Sequence, residues 1–503
     1  MAAGLMSGLS LALSLGLLQG CGGGSHESAA AGIEARLTAS SGALAGEPVM
    51  LDATASVLPS GAVSYLWRVN APDGSAAVVY DAASAKPYFL PAVAGTYQVL
   101  LAITVASPPY AVSSPVATLN VDVQALVPPT AAQARARLLA LASAASPMLP
   151  PDSTSPVITV GLPGAGSNIT ESRLLGWSRP EFVYAGAVEQ AGGVYPDYLF
   201  GTNRAVSYAA AQSSGSFLSI DFVTDAIEFE ILQKGLGYNS RMRVVVDGRL
   251  ASATQTQLPA DGALYLTHVR FASKAVRHIR LLGTSPYFGG IRLGPADAVS
   301  RPAAGTRLRT LFFGDSITES AAGQDAAASY APRSAELLGW ADAWVSGVGF
   351  TGYLAAPSPK LTLRQRFAAD VKRFTPAVLV VAAGVNDTTF TDGAVQAEAA
   401  LLFDQIQADL PDTLVFVMGP LATTNRVRPG INSALKAAVG SRSNFYWVPN
   451  VDETWLTGTG NAGSPAGNGN ADIYISADVT HPTPAGIEYL AGKLNSFIRQ
   501  AVQ

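Results

Sequence analysis

Two short stretches in the carboxyl-terminal part of the sequence hold side chains that could act together in catalysis. Ser316 follows an apolar run in the sequence Gly-Asp-Ser-Ile-Thr, and His481 lies far downstream in Asp-Val-Thr-His-Pro. A serine hydroxyl is a poor nucleophile unless a base takes its proton. His481 is the only histidine after residue 303 and therefore the only candidate base near neutral pH there. Asp478 is near enough in sequence to orient the ring, so the set predicts acyl transfer by nucleophilic catalysis.

Alternating apolar runs and helical stretches must position these residues. Helical patterns occupy 363–374 and 397–410, and near-continuous apolar runs occupy 308–313, 378–383, 414–418 and 445–448. Strands that are apolar on both faces and alternate with helices predict a parallel sheet covered by helices on both sides. Thr483-Pro484 predicts the start of a last helix, whose apolar stripe contains Ile487, Leu490, Leu494 and Phe497. In such sheets the active site lies beyond the carboxyl ends of the strands.

Four segments at these ends share one order and spacing. They are 314–318 (GDSIT), 346–352 (SGVGFTG), 384–387 (GVND) and 478–482 (DVTHP). Together they resemble the SGNH (GDSL-type) hydrolase family over 303–503. The resemblance implies a flavodoxin-like α/β/α domain, a catalytic triad of Ser316, Asp478 and His481, and no cofactor or metal.

The same resemblance implies three donors for the oxyanion that forms in acyl transfer. They are the Ser316 amide, the Asn386 side chain and an amide of the second segment, for which we choose Gly349 with Phe350 next. The family often has glycine where Phe350 stands, or asparagine at Ser346 or a neighbour. The identity of this second-segment donor therefore stays open.

Other chemistries fit the sequence less well. The glycines of 347–352 also match a dinucleotide-binding fingerprint, but that motif should open a helix, and Pro357 and Pro359 follow instead. A single cysteine excludes an internal disulfide and a cysteine zinc site. A histidine metal site would need most of the four histidines together, and no HExxH, P-loop or GxSxG pattern occurs, so we expect no metal site.

Composition bounds the class of protein. A chain of 503 residues predicts about three domains. With 49% hydrophobic and 14% charged residues, it does not have the composition of a disordered protein. The net charge of −4 leaves no basic excess to neutralise phosphates, so nucleic acid is not an expected partner.

The amino terminus has the composition of an export signal. Residues 4–20 are uncharged and leucine-rich, and Cys21 is followed by Gly-Gly-Gly-Ser. This arrangement resembles a bacterial lipobox, which implies a signal peptide at 1–21, lipidation of Cys21 and a flexible tether at 22–31. The alternative is an ordinary cleaved signal. We expect an exported protein, either an outer-membrane or cell-surface lipoprotein held only by its lipid anchor, or a secreted one.

Two β-modules are predicted before the catalytic domain. Residues 32–124 resemble a PKD-type immunoglobulin-like sandwich, in which Trp67 is expected in the core rather than as a sugar platform. Residues 125–151 are proline-rich around an alanine-rich stretch and predict a linker with a short helix. Residues 152–300 resemble the jelly-roll module of some carbohydrate esterases. The strict alternation at 227–231 predicts a strand with one buried face, and His268 and His278 are expected on strand surfaces.

The sequence therefore predicts an exported serine esterase that releases short acyl groups, such as acetyl, from carbohydrate. A second hypothesis is a lipase, arylesterase or polyester-type hydrolase, because Phe350, Tyr353 and Leu354 could line an apolar acyl pocket. A third is a binding or adhesion protein built on the β-modules, against which the intact Ser, Asn, Asp and His argue.

Overall fold

The chain divides into two compact units, Met1–Leu126 and Val127–Gln503. The computed structural model describes residues 32–107, 110–125, 127–145, 147–186, 188–192, 195–202, 217–235, 241–284, 287–302, 308–319, 329–421 and 429–503. The predicted signal peptide with Cys21, and the tether, lie outside these residues and stay predictions. None of the described helices combines the length and the apolar character that a membrane span requires.

The first unit contains two antiparallel sheets. Its strands are β1 Thr38–Ala39, β2 Val49–Asp52, β3 Ala62–Asn70, β4 Ala76–Ala77, β5 Val79–Tyr80, β6 Tyr88–Phe89, β7 Gly95–Ser107, β8 Tyr110–Ser113 and β9 Ala117–Val123. The sheet orders are β1-β2-β6-β5 and β4-β3-β7-β8, with β9 also on β7. Trp67 is 6% exposed in the shared core and its indole donates to the Ser84 carbonyl, so it is a core residue as predicted.

The predicted short helix is α1, Ala131–Ala144, in the second unit. Thr130 caps it, because its hydroxyl accepts from the Gln133 amide. One face of α1 packs into the core of the α/β domain, and Arg135 donates to the Tyr446 hydroxyl at 2.9 Å. The helix is therefore part of the α/β domain's covering layer.

Residues 157–300 form two further antiparallel sheets of seven strands each. The strands are β10 Val157–Val160, β11 Arg173–Gly176, β12 Val183–Ala185, β13 Val188–Gly192, β14 Tyr195–Thr202, β15 Phe217–Thr224, β16 Glu228–Lys234, β17 Arg241–Val246, β18 Arg249–Leu250, β19 Thr256–Gln257, β20 Leu264–Arg270, β21 Arg277–Thr284, β22 Tyr287–Leu293 and β23 Val299–Ser300. Their orders are β10-β20-β16-β22-β14-β13 with β11 on β22, and β12-β15-β21-β17-β18 with β19 on β17 and β23 on β15. Apolar side chains from both sheets share one core.

One side chain of these sheets differs from expectation, and two histidines are more closely partnered than the sequence indicates. Alternation predicted that β16 buries one face, but Glu230 on the other face is also buried, because it accepts hydrogen bonds from the Ser167 hydroxyl and the Asn168 amide. His268 and His278 are only partly exposed, since each bonds a carboxylate, of Glu228 and of Asp221. Both are partnered strand residues rather than free surface ones.

The α/β domain has five parallel strands: β24 Arg309–Gly314, β25 Asp342–Gly347, β26 Val378–Ala382, β27 Leu414–Met418 and β28 Phe445–Val448. Their order, β25-β24-β26-β27-β28, is the flavodoxin-like order. Its helices are α2 Ser316–Glu319, α3 Tyr330–Leu337, α4 Leu363–Asp370, α5 Asp392–Asp409, α6 Pro429–Val439, α7 Ala471–Tyr474 and α8 Pro484–Ala501, with a 3₁₀ turn at Lys372–Phe374. Helices α1, α3 and α8 pack on one face of the sheet and α4, α5 and α6 on the other, so the predicted parallel α/β/α layers are confirmed.

Candidate active site

The turn from β24 into α2 presents Ser316 just beyond the carboxyl end of β24. A Cβ on Gly314 would lie 2.2 Å from both the Ala382 carbonyl oxygen and the Thr318 hydroxyl, so only glycine fits there. The carboxylate of Asp315 accepts from the Ile317 amide at 3.0 Å and holds the turn. Ser316 itself is only half-buried and stands open to a ligand.

The loop between α7 and α8 brings the imidazole to this serine. His481 Nε2 lies 2.9 Å from Ser316 Oγ, and Nδ1 lies 2.6 Å from Asp478 Oδ2. The His481 amide also donates to Asp478 Oδ1 at 2.9 Å, so the carboxylate holds both the backbone and the ring. The structure thus joins Ser316, His481 and Asp478 in one hydrogen-bonded chain, in the order that the sequence predicted.

Asp478 is held in its ionised form. Partial burial disfavours the charge, but hydrogen bonds from the Ser476 hydroxyl, the His481 amide and ring, and the Thr480 amide together place the pKa of Asp478 well below its usual range. A permanent carboxylate against Nδ1 favours the tautomer that leaves Nε2 free to accept the serine proton. The chain can therefore activate a hydroxyl at neutral pH.

The turn after β25 lies directly beside the serine. A Cβ added to Gly349 would be 3.5 Å from the Ser316 Cβ. The Gly349 amide, however, donates to Glu319 Oε2 at 2.7 Å, so it could serve an oxyanion only if the substrate oxygen displaced this carboxylate. Among the described residues, the amides of Ser316 and Phe350 donate no hydrogen bond. The second choice, Phe350, thus has the free amide.

Asn386 reaches the same turn from the end of β26. Its side-chain Nδ2 donates to the Thr351 carbonyl at 3.0 Å and retains a second N–H. Ser346, the position where an asparagine is often found, is instead fully buried, and its hydroxyl donates to Asp370. Ser346 therefore belongs to the support of the turn and not to its exposed edge.

A buried carboxylate shapes the following loop. Asp387 is fully buried and accepts from the amides of Tyr353, Leu354 and Ala355 at 2.8–2.9 Å. Tyr353 is 1% exposed and its ring packs on the core, as does Leu354. Tyr353 is therefore not free to line an acyl pocket, whereas Leu354 is half-buried and Phe350 is exposed.

An ion pair inside the domain joins the serine turn to the turn after β25. Arg366 and Asp370 on α4 are both completely buried. The Arg366 guanidinium donates to the carbonyls of Gly314 and Ser346, which lie in the last two residues of β24 and β25. Removing one member of a buried pair costs roughly 3–5 kcal/mol. Sequence analysis missed this pair, because opposite charges at this spacing on a helix are usually a surface feature.

Asp315, the residue before Ser316, lies among other charges. Its burial, together with the nearby charge of Asp387, raises the pKa of Asp315 to about 7, against the hydrogen bond from the Ile317 amide and the charge of Arg366. Its carboxyl is thus protonated in mildly acidic solution. Nothing in the sequence alone distinguished it from an exposed turn aspartate.

The free energy of unfolding of the parent should fall as rising pH ionises Asp315, and Asp315→Asn should not show this fall. An unfolded aspartate ionises near pH 3.9, whereas Asp315 in the fold ionises at about 7. The contribution of Asp315 to the free energy of unfolding is therefore fully present below about pH 4. It is lost as pH rises towards 7, by up to about 1.4 kcal/mol per pH unit. Asparagine cannot ionise and can still accept from the Ile317 amide.

Urea unfolding at about pH 4.5, 6 and 8 checks this expectation. The free energy of unfolding of the Asp315→Asn variant, relative to the parent, should increase across this series. Asp404→Asn is the matched control, because its side chain is 64% exposed. A difference from the parent that stays constant across the series contradicts the prediction.

Comparisons with known proteins address the domain as a whole. A sequence model of the GDSL-like Lipase/Acylhydrolase family matches residues 312–488. No curated protein sequence matches the chain. The fold is similar to that of a salicylyl-acyltransferase from a tetracycline biosynthetic pathway, with 15% identity, a TM-score of 0.50, and coverage of 66% of this chain and 98% of that one.

Two further solved structures are also similar. One is a family two carbohydrate esterase from Cellvibrio japonicus, with 14% identity, a TM-score of 0.48 and coverage of 66% and 98%. The other is an acetyl xylan esterase from the rumen bacterium Butyrivibrio proteoclasticus, with 15% identity, a TM-score of 0.42 and coverage of 64% and 95%. The matched segment contains Ser316, Asn386, Asp478 and His481. Residues 312–488 thus form a GDSL-type acylhydrolase domain, and the chain is a carboxylic ester hydrolase.

Proposed function

We propose that the hydrolase works through a triad of Ser316, His481 and Asp478. The observation that carries the proposal is the continuous set of hydrogen bonds, at 2.9 Å and 2.6 Å, from Ser316 Oγ through the imidazole to Asp478. Nε2 takes the proton as Oγ attacks the ester carbonyl, and returns it to the leaving alcohol. Water, activated in the same way, then hydrolyses the acyl-enzyme.

The developing oxyanion is stabilised by three donors beside the serine. They are the Ser316 amide, the free N–H of the Asn386 side chain, and an amide of the turn after β25. Gly349 acts there if the substrate oxygen takes the place of Glu319 Oε2, and Phe350 acts if it does not. In both cases the donors are fixed before the reaction, because the Arg366 pair holds the two turns.

We further propose that the substrate is a short-chain acyl ester, such as acetyl, on a carbohydrate. The burial of Tyr353 supports this, since it withdraws one of the three side chains that the sequence offered for an apolar acyl pocket. The predicted export and the β-sheet modules before the hydrolase domain also fit a polysaccharide substrate. The alternative is a lipase, arylesterase or polyester-type hydrolase on other esters.

A series of acyl lengths tests this substrate class. We expect kcat/KM to be largest for acetyl or butyryl esters, to fall for octanoyl and palmitoyl esters, and to be accompanied by acetate release from acetylated xylan. A long apolar pocket would instead contribute about 0.8 kcal/mol for each buried methylene and raise kcat/KM with length. A maximum at eight carbons or more, with no acetate released from any polysaccharide, would favour the alternative.

We also propose that Cys21 tethers the exported protein through a lipid. In cells with native export, Cys21→Ser should move the protein from the membrane fraction to the soluble one, whereas the nearby Ser25→Ala control should not. The measurement is immunodetection in both fractions. Unchanged fractionation of the cysteine variant would contradict lipidation and favour an ordinary cleaved signal.

A further inference from the structure

Phe350 combines a costly backbone conformation with an exposed ring. It directly follows Gly349 in the turn beside the serine, has a φ of 65°, and keeps 70% of its surface exposed. Left-handed backbone is rare for a bulky residue, since its Cβ is crowded there. The fold gains no core packing from this ring, so its placement is best explained by a contact outside the protein.

Two charged side chains hold the peptide groups on either side of Gly349. Glu319 Oε2 accepts from the Gly349 amide at 2.7 Å, and Lys360 Nζ donates to the Gly349 carbonyl at 2.7 Å. Lys360 Nζ also lies 4.8 Å from the centroid of the Phe350 ring, over one of its faces. The ring is therefore fixed on one side by a cation and open to solvent on the other.

The residue before Phe350 lies next to the serine. Gly349, the neighbour of Phe350, is close enough to Ser316 that a Cβ there would come within 3.5 Å of the serine Cβ. A group bound to the ring would belong to the part of the ester that projects from the site. It would not be an enclosed acyl chain, because Tyr353 is packed in the core and Phe350 itself is 70% exposed.

We infer that Phe350 is a platform on which the alcohol part of the substrate stacks, namely the apolar face of the pyranose ring that carries the acyl group. A flat C–H face matches a single exposed aromatic ring, whereas a flexible chain needs apolar walls on several sides. The inference rests on the proposed carbohydrate substrate and assigns the residue that recognises it. Phe350 thereby determines specificity, in addition to any role of its amide.

Substitutions that retain the backbone amide test the platform. For each variant, kcat/KM is measured with acetylated xylo-oligosaccharides and with ethyl acetate, which has no ring to stack. We expect the ratio of the sugar ester to ethyl acetate to fall at least about tenfold in Phe350→Ala and Phe350→Gly, chiefly through KM. The ratio should be retained in Phe350→Trp and in the control Leu401→Ala, an exposed apolar residue on α5.

Thermal unfolding separates recognition from folding. Glycine adopts a φ of 65° without steric cost, so Phe350→Gly should unfold at the same temperature as the parent or a higher one. A variant that keeps its unfolding temperature and loses its preference for the sugar ester has lost a contact with the substrate. An equal fall in the ratio for Leu401→Ala would overturn the inference.

Three further outcomes are decisive. A ratio that stays unchanged in Phe350→Ala overturns the platform but leaves the Ser316 esterase intact. Phenyl acetate is also compared with ethyl acetate in the parent and in Phe350→Ala. If the substitution lowers the ratio of phenyl acetate to ethyl acetate but not the ratio of the sugar ester to ethyl acetate, the ring recognises aromatic alcohols and the sugar platform is overturned. If neither the parent nor any variant hydrolyses the sugar ester, binding of the same oligosaccharides to the parent and to Phe350→Ala is measured by calorimetric titration. Equal binding to both proteins, or binding to neither, also overturns the platform.

Discussion

Replacing Ser316 with alanine should lower kcat by roughly a millionfold, the scale seen when a triad nucleophile is removed. The Ser316 hydroxyl bonds His481 Nε2 at 2.9 Å, and no other described hydroxyl bonds this imidazole. Without Oγ no acyl-enzyme can form, and the remaining oxyanion donors act only on direct attack by water. The effect on the fold should be small, because one lost hydrogen bond costs about 1 kcal/mol.

Rates and labelling together check this assignment. The parent, treated with a serine-directed organophosphonate, should gain one adduct, on the peptide that contains Ser316. Ser496→Ala is the matched control, since its exposed hydroxyl bonds only the carbonyl of Gly492 within its own helix. Labelling of another residue, or activity that survives in Ser316→Ala with an unchanged melting curve, would remove Ser316 as the nucleophile.

The core strands of the hydrolase domain were predictable, because a strand that is buried on both faces has a nearly continuous apolar sequence. The runs at 414–418 and 445–448 coincide with β27 and β28, and the run at 308–313 is displaced by one residue from β24. The predicted helix at 363–374 is instead α4 followed by a 3₁₀ turn. Its end depends on Val371, whose ψ of −61° and φ of −128° no local pattern indicates.

The hydrogen-bonded pair of Ser316 and His481 could be anticipated because each residue stands in a short, ordered segment. The residues that hold the surrounding turns could not be anticipated, because they act through contacts between segments that are distant in sequence. Arg366 acts through carbonyls of Gly314 and Ser346 that only the folded sheet brings together. Glu319 illustrates the same limit, since its bond to the Gly349 amide changes the availability of the predicted oxyanion donor.

The β-modules show where periodicity fails. Alternation along β16 correctly predicts that Phe229 and Ile231 are buried, but it reads Glu230 as exposed. The Ser167 hydroxyl and the Asn168 amide, from a segment about 60 residues earlier, satisfy the Glu230 carboxylate and allow its burial. Hydrophobic alternation along a strand indicates which face is apolar. It does not indicate whether another segment covers the polar face.

His481→Ala should reduce kcat about as much as Ser316→Ala, again by roughly a millionfold, and the double variant should be no slower than either single one. Non-additivity is expected because the imidazole and the hydroxyl act in one step. His268→Gln is the matched control, as His268 bonds Glu228 in the β-module. Additive losses in the double variant would indicate that the two residues act independently.

The pH dependence of kcat/KM assigns the base. Asp478 has a pKa held below its usual range by the hydrogen bonds that oppose its desolvation, so its charge is present at neutral pH and is lost only in strong acid. A fall in kcat/KM from neutral to mildly acidic pH would therefore not come from protonation of Asp478. A rate that stays flat from pH 5 to 9, with chemistry limiting, would argue against a histidine base.

Asp478→Asn separates orientation from proton transfer. Asparagine can still accept from the Ser476 hydroxyl and the His481 amide, but it removes the negative charge that lies 2.6 Å from Nδ1. The loss of rate should be comparable to or smaller than that of His481→Ala, because the imidazole remains available as a base. A variant as inactive as His481→Ala would mean that the imidazole works only beside a charged partner, whereas near-parental activity would mean that the backbone of the loop orients the ring without that charge.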